Sequence, residues 1–309
     1  MAEPLPRGIA LLEGGKILVD QGPVRMTVAA WGNHRPLTAA ALAGGRRAVA
    51  ALGSLSRWLT TARLPMADPN CRVSQDQPQE LKRMISFVKE LGETDFTPLA
   101  AVAGTFSDLA LEAACLAGAD RVLVNNGGDI ALAYGSEGKA FRLGLISDLE
   151  TRSLSRVLEL GPGTGIRGVA TSGLGGRSLT KGVASAVTCL ASCSGLADAA
   201  ATAVANATLV DDPAVELCPA EALDPLTDLK GQLVVKRVGR LAPDKAREAL
   251  ERGLERAGEL MDQGMVIGCL VFVQGRLGFL PPELEPIRTP SGSAIIKGRQ
   301  VNYPSQIEA

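Results

Sequence analysis

Residues 122–129 read Val-Leu-Val-Asn-Asn-Gly-Gly-Asp and carry the clearest structural signal of the chain. A hydrophobic run ends in two asparagines, and Asn-Gly is the strongest short-range signal for a β-hairpin turn. Two adjacent glycines also allow a flat or phosphorylated ligand to approach the backbone closely. The stretch therefore predicts a strand followed by a tight turn, and it leaves open whether this turn binds a ligand.

The elements around this stretch predict an α+β fold with antiparallel or mixed sheets flanked by helices. Strands at 121–125, 129–134 and 141–146 are separated by short turns, which is typical of an antiparallel meander. Further strands are predicted at 25–31, 156–160, 168–171, 184–191, 232–238 and 265–273. Helices are predicted at 37–61 (where Gly44-Gly45 suggests a break), 79–91, 109–118, 196–209 and 243–263. Thr97-Pro98 is a candidate helix start ahead of 109–118, with Pro98 at the first helical position. We expect one compact domain with two pseudo-halves over residues 1–288 and an extended C-terminal tail over residues 289–309.

Composition excludes several classes of function. The 309 residues have a formal net charge of −1 and only 3% aromatic residues, so neither phosphate neutralisation nor base stacking favours nucleic-acid binding. His34 is the single histidine, which excludes multi-histidine metal centres. The six cysteines have no zinc-site spacing. Chemistry must therefore come from carboxylates, hydroxyls, backbone amides or an oxygen-ligated metal.

The chain shows no signal for export or membrane insertion. Its first residues lack a charged segment followed by an apolar run, and they lack an early lipidation cysteine. The longest uncharged stretch, 183–197, is too short and too rich in Ser and Thr to span a bilayer. We expect a cytoplasmic protein with no membrane partner, and its small-residue elements leave room for a homodimer interface.

Two further motifs present oxygen atoms. Residues 168–178 read Gly-Val-Ala-Thr-Ser-Gly-Leu-Gly-Gly-Arg-Ser, in which amides and hydroxyls could bind anionic oxygens. In the second motif, Asp198 and Thr202 are four residues apart and would face the same side of a helix. Such hard oxygen ligands suit Mg²⁺. The alternative is an acid stabilised by the helix dipole and a hydroxyl bonded to its own helix.

Taken together and in this order, these motifs resemble those of the ApbE-like superfamily, which is known for FAD-dependent flavin transferases that require Mg²⁺. Residues 103–108, Ala-Gly-Thr-Phe-Ser-Asp, resemble that family's Lys-Gly-x-x-x-Asp segment, with Ala103 in place of the lysine. The resemblance covers roughly residues 95–210. It is closest to a cytoplasmic branch with no assigned activity, and residues 176–182 are a further segment similar to that branch.

The resemblance implies a fold, two cofactors and a set of site residues. Asp198 and Thr202 would bind Mg²⁺ together with a backbone carbonyl near Ala100. The flavin-nucleotide pocket would be lined by Gly104, Asp108, Asn125, Asn126, Gly127, Gly128, Asp129, Thr171, Ser172 and Ser178. In the transferases the FMN part of FAD passes to a hydroxyl of an acceptor protein and AMP is released, so both a flavin and an acceptor protein are implied partners.

One family segment is missing. The transferases carry His-x-x-Asp-Pro-x-Thr-Gly between the Ser-Gly turn and the Ala-Asp-Ala helix, whereas residues 177–182 here read Arg-Ser-Leu-Thr-Lys-Gly. A later Asp-Pro-Leu-Thr at 224–227 is out of order and is interpreted as a loop. Three hypotheses follow: a Mg²⁺-dependent enzyme acting on FAD or another nucleotide diphosphate, a non-catalytic flavin or nucleotide binder, and an interaction scaffold.

Overall fold

A computed structural model describes residues 5–135, 138–148, 153–284, 287–288 and 307–308. Its strands are β1 (Ile9–Leu11), β2 (Ile17–Gln21), β3 (Val24–Gly32), β4 (Arg35–Pro36), β5 (Arg121–Asn126), β6 (Asp129–Tyr134), β7 (Phe141–Asp148), β8 (Ser153–Leu160), β9 (Gly168–Ser172), β10 (Ala186–Ala191), β11 (Val215–Pro219), β12 (Leu233–Val238), β13 (Gly268–Val273), β14 (Arg276–Leu280), β15 (Ile287–Arg288) and β16 (Ile307–Glu308). Its helices are α1 (Thr38–Leu55), α2 (Leu59–Ala62), α3 (Gln79–Glu90), α4 (Val102–Leu116), α5 (Ser194–Ala207) and α6 (Pro243–Asp262).

The chain divides into two compact units whose segments interleave along the sequence. The first comprises 1–139, 165–170 and 191–199, and the second comprises 140–164, 171–190 and 200–309. Strands β9 and β10 and helix α5 each contribute residues to both units. The predicted α+β class is confirmed. The boundary between a domain at 1–288 and a tail at 289–309 stays a prediction, because little of that tail lies within the described residues.

The first unit is built on an antiparallel sheet. Strand β3 pairs with β2 on one side and with β5 on the other, and β5 pairs with β6 through the Gly-Gly turn. Strand β6 then pairs with β9. Helices α1 and α4 pack against each other and against this sheet. The apolar side chains between them, such as Ile17, Val28 and Phe106, form the core of this unit because they leave water on folding.

The predicted break at Gly44-Gly45 is wrong, because α1 continues through both glycines. A β-carbon on Gly44 would lie 2.7 Å from the carbonyl oxygen of Ala110 on α4. The absence of a side chain therefore allows the two helices to approach each other closely.

The second unit contains three groups of antiparallel strands. Strand β7 pairs with β8, which also pairs with β15, while β16 pairs with β7. Strand β13 lies between β10 and β14, and β11 pairs with β12. The prediction that β7 continues a meander from β6 is therefore wrong, since among the described residues its partners are β8 and β16. Seven strands, β1, β2, β4, β11, β14, β15 and β16, were not predicted.

One described segment has the length and apolar character that a membrane span needs. Pro98–Leu116 has 19 residues and a mean hydropathy of 1.5, and half of it is buried inside the protein. This segment contains α4, which packs against α1, and a buried core helix meets the same two criteria. The expectation of no membrane partner stays a prediction.

Candidate functional site

Helix α5 exposes a narrow polar stripe. Asp198, Thr202 and Asn206 are partly exposed, whereas every other residue from Ser194 to Ala205 is buried. Residues four apart lie on one face of a helix that has about 3.6 residues per turn. The other faces of this alanine-rich helix are buried, and three polar side chains in line add nothing to the apolar packing of the core. This stripe is therefore a candidate binding surface.

The N-terminal end of the stripe is joined to the Asn-Gly-Gly turn through one peptide group. The amide of Gly104 donates a hydrogen bond of 2.9 Å to Oδ2 of Asp198. The carbonyl of the same peptide group, on Ala103, accepts a hydrogen bond of 3.1 Å from Nδ2 of Asn126. The structure therefore brings together Asp198, the start of α4 and the Asn-Gly-Gly motif.

The glycine pair forms the predicted hairpin turn. Asn126 pairs with Asp129 across the turn, and Gly127 and Gly128 have φ angles of 71° and 115°. These left-handed conformations favour glycine. Oδ1 of Asn125 accepts a hydrogen bond of 3.0 Å from the Gly128 amide and fixes the turn. The structural interpretation is confirmed, and ligand binding by this turn stays a prediction.

Asp108 holds the start of α5. Its two carboxylate oxygens each accept a 2.8 Å hydrogen bond, one from the amide of Ser194 and one from the amide of Gly195. Amides in the first turn of a helix have no acceptor within that helix. Asp108 on α4 therefore caps α5, while Asp198 on α5 caps α4 at Gly104. Asp108 is buried, and its predicted contact with a nucleotide stays a prediction.

Burial gives Asp108 an unusual proton affinity. Removal from water raises the pKa of this carboxyl to about 6, although the amides of Gly195 and Ser194 act in the opposite direction. The folded protein therefore binds more protons at this group than the unfolded chain does between about pH 4 and pH 6. The stabilising contribution is complete below about pH 4 and is lost as the pH rises through 6.

We expect Asp108→Asn to remove this pH dependence. The contribution of Asp108 to the unfolding free energy should fall by roughly 3 kcal/mol between about pH 4 and pH 7, because its folded and unfolded pKa values differ by about two units. Urea unfolding of both proteins across this range measures the difference in unfolding free energy, which should favour the wild type more at pH 4 than at pH 7. A difference independent of pH would contradict the prediction.

The remaining predicted residues lie in other parts of the fold. Ala100 is in the 3-10 turn Pro98–Ala101 that precedes α4 and is partly exposed. Thr171, Ser172, Ser178 and Thr202 belong to the second unit. Oγ1 of Thr171 lies 3.0 Å from Oγ1 of Thr188, and Ser178 is exposed. The roles of these residues stay predictions.

The donor set agrees with the predicted metal. Among the described residues, no group of three or more His, Cys, Asp or Glu side chains is placed to hold a metal ion. The predicted ligands are instead one carboxylate, one hydroxyl and one backbone carbonyl. These are hard oxygen donors, and Mg²⁺ is usually bound by few protein ligands with phosphate and water completing its shell. The chemistry of the residues therefore fits Mg²⁺.

Sequence reasoning missed two residues of this region. Asn206 continues the four-residue spacing of Asp198 and Thr202, so extending the pattern by one turn would have found it. Ser107 donates a hydrogen bond of 2.8 Å to the backbone oxygen of Asp129 and so ties α4 to the hairpin. No sequence pattern indicates that contact, because the two residues are far apart along the chain.

Comparison with known proteins identifies relatives among archaeal proteins. A UPF0280 protein of Methanosarcina barkeri is 35% identical over 164 residues, covering 52% of this chain and 61% of the relative. A UPF0280 protein of Methanopyrus kandleri is 35% identical over 176 residues, covering 56% of this chain and 65% of the relative. The chain thus spans less than two thirds of the length of these curated relatives.

Solved structures of lower similarity also match. The apo form of the flavinyl transferase ApbE of Pseudomonas stutzeri has a TM-score of 0.38 and 15% identity, covering 58% of this chain and 79% of that chain. The flavin transferase ApbE of Vibrio cholerae has a TM-score of 0.30 and 13% identity, covering 82% of this chain and 75% of that chain. A family model described as AbpE bacteria matches residues 9–279. Because that match includes most of the sequence, this chain belongs to the AbpE bacteria family, and its membership of the ApbE-like superfamily is confirmed.

Proposed function

We propose that this protein is a Mg²⁺-dependent enzyme that acts on the diphosphate of a flavin nucleotide, either by transferring FMN from FAD or by hydrolysing FAD. Membership of the family supports a flavin-related ligand. The observation that carries the proposal is the single peptide group that joins the Asp198 carboxylate to the Asn-Gly-Gly turn. A glycine turn beside an oriented carboxylate suits a nucleotide bound together with a metal.

In this proposal the chain positions ligand oxygens and a metal. Asp198, Thr202 and the carbonyl of Ala100 would hold Mg²⁺, which offsets negative charge on the leaving phosphate when it is bound. The Gly104 amide orients the Asp198 carboxylate, and Asn125 fixes the turn in which Gly127 is partly exposed and Gly128 is buried. Attack by an acceptor hydroxyl or by water forms a new bond to the FMN phosphorus and breaks the bond from that phosphorus to the bridging oxygen, which leaves as part of AMP. The proton of the attacking hydroxyl or water passes to solvent.

The second candidate is a protein that binds a flavin nucleotide without turnover. The observation that favours it is the sequence at 177–182, which has neither the histidine nor the aspartate of the family segment. The later Asp-Pro-Leu-Thr does not replace that segment, because the Asp224 carboxylate accepts a hydrogen bond from the Leu226 amide within a local turn. An interaction scaffold without a nucleotide ligand is the third candidate.

One incubation separates these candidates. The protein is mixed with FAD and Mg²⁺, AMP and FMN are quantified by chromatography, and a matched sample contains EDTA. The enzyme hypothesis predicts that AMP is released and that EDTA abolishes this release. The control variant Asp262→Ala, which changes an exposed residue outside the site, should release AMP like the wild type. A rise in melting temperature with FAD but no AMP would support the non-catalytic binder. The absence of both AMP release and a shift in melting temperature would overturn the proposal and would leave the interaction scaffold as the remaining candidate.

A further inference from the structure

The loop at 176–182, which stands where the family has its histidine segment, and the residues just after it are fixed to the end of α5 and to Thr208, which follows α5. The Lys181 amide donates a hydrogen bond of 2.9 Å to Oδ1 of Asn206. Oγ1 of Thr208 accepts hydrogen bonds of 3.0 Å from the amides of both Val183 and Ala184. The backbone at Lys181, Val183 and Ala184 is therefore held by three hydrogen bonds.

Gly182 allows the loop backbone to lie directly against α5. A β-carbon at this position would lie 1.7 Å from the carbonyl oxygen of Ala205, so no other residue fits without moving backbone. Arg177 and Ser178, by contrast, are exposed at the other end of the loop. The loop thus has an immobilised base that carries Lys181 and an open end that carries a second cation.

The attachment places the backbone of Lys181 beside Asn206 of the polar stripe. Asn206, which binds its amide, lies one helical turn beyond Thr202, and a turn rises about 5.4 Å. The lysine side chain has a flexible four-carbon stem and can reach a group bound next to Thr202. The C-terminal part of a helix carries partial negative charge, so an anion bound there requires a cation nearby.

We infer that Lys181, assisted by Arg177, binds a phosphate group of the ligand at the Thr202–Asn206 end of the stripe. The assignment rests on the proposed function, because it names the part of the site that binds the phosphates. The backbone of Lys181 is fixed by Asn206, and a contact of its ammonium group with a phosphate would be charge-assisted. The ligand chemistry recognised is a diphosphate.

The test compares ligands with and without phosphate on matched variants. Binding of FAD, riboflavin and inorganic pyrophosphate, each with Mg²⁺, is measured by calorimetry for the wild type, Lys181→Met, Lys181→Arg and the control Lys230→Met. Lys230 is an exposed lysine of the same unit. We expect Lys181→Met to weaken the binding of FAD and of pyrophosphate by at least about tenfold, because the substitution removes a hydrogen bond between charged groups. Riboflavin affinity should stay the same, Lys181→Arg should restore most of the loss, and Lys230→Met should match the wild type.

Each other outcome has a distinct meaning. Unchanged affinity of Lys181→Met for FAD and pyrophosphate would overturn the assignment while leaving the proposed function in place. Pyrophosphate binding that depends on Lys181, in a protein that binds no flavin, would support the phosphate site and overturn the flavin proposal. An equal loss of riboflavin and FAD affinity would show a structural role for Lys181 and would also overturn the assignment.

Discussion

Replacing Gly104 by alanine is expected to lower the unfolding free energy by about 3 kcal/mol, and the melting temperature by roughly 10 °C. The added β-carbon would lie 2.2 Å from the carbonyl oxygen and 2.5 Å from the carbonyl carbon of Ser194. Both are backbone atoms at the start of α5, so no side-chain rotation relieves the overlap. The helices must separate, and the hydrogen bonds at Asp108 and Asp198 lengthen together. Thermal and urea unfolding measure this loss.

Gly53→Ala is the matched control. Gly53 also lies within a helix, α1, but nothing lies within 4 Å of the position that its β-carbon would take. Alanine is a better helix former than glycine by about 1 kcal/mol, so this variant should be slightly more stable than the wild type. A melting temperature of Gly104→Ala equal to that of the wild type would show that the two helices are not in the contact described above.

Substitutions of Asp198 should separate its two roles. Asp198→Ala removes the cap of α4 and should cost about 1 kcal/mol of stability. Asp198→Asn keeps an oxygen that can accept the Gly104 hydrogen bond, so its stability should stay within about 0.5 kcal/mol of the wild type. Both variants lose the charge that would bind Mg²⁺, and both should reduce AMP release from FAD by at least about a hundredfold.

The comparison of stability with turnover makes this result specific. Thr202→Val keeps the shape of the side chain and removes the hydroxyl, so AMP release should fall while the fold remains intact. Asp262→Ala should leave both quantities unchanged. If Asp198→Asn released AMP at the wild-type rate, Asp198 would be a helix cap alone, and the metal assignment would be wrong.

The sequence was most informative where local chemistry decides the structure. The Asn-Gly-Gly turn, β5, β6 and α3 follow from turn residues and periodicity, which act over a few residues. It failed where tertiary contacts decide. Gly44-Gly45 suggested a break, but α1 continues through both, because Gly44 packs against α4 and Gly45 packs against β2. The motif at 103–108 lies in α4, and the predicted helix start at Thr97-Pro98 is the start of the 3-10 turn that leads into this helix.

The same distinction applies to the site. The spacing of Asp198 and Thr202 predicted a shared helix face, because four residues make about one turn. The sequence could not show that Asp108 holds the start of α5, since its partners Ser194 and Gly195 are more than eighty residues away. Nor could it show that the base of the 176–182 loop is bound to Asn206. Such contacts depend on how distant segments meet after folding.

The reciprocal caps also have a consequence for how the protein folds. Each helix start depends on a carboxylate supplied by the other helix, and the two segments are separated by 86 to 94 residues along the chain. Neither start is complete until a large loop has closed, which is slow relative to the formation of local structure. We therefore expect the amide protons of Gly104, Ser194 and Gly195 to exchange with solvent as one cooperative group, released only when both helices open together.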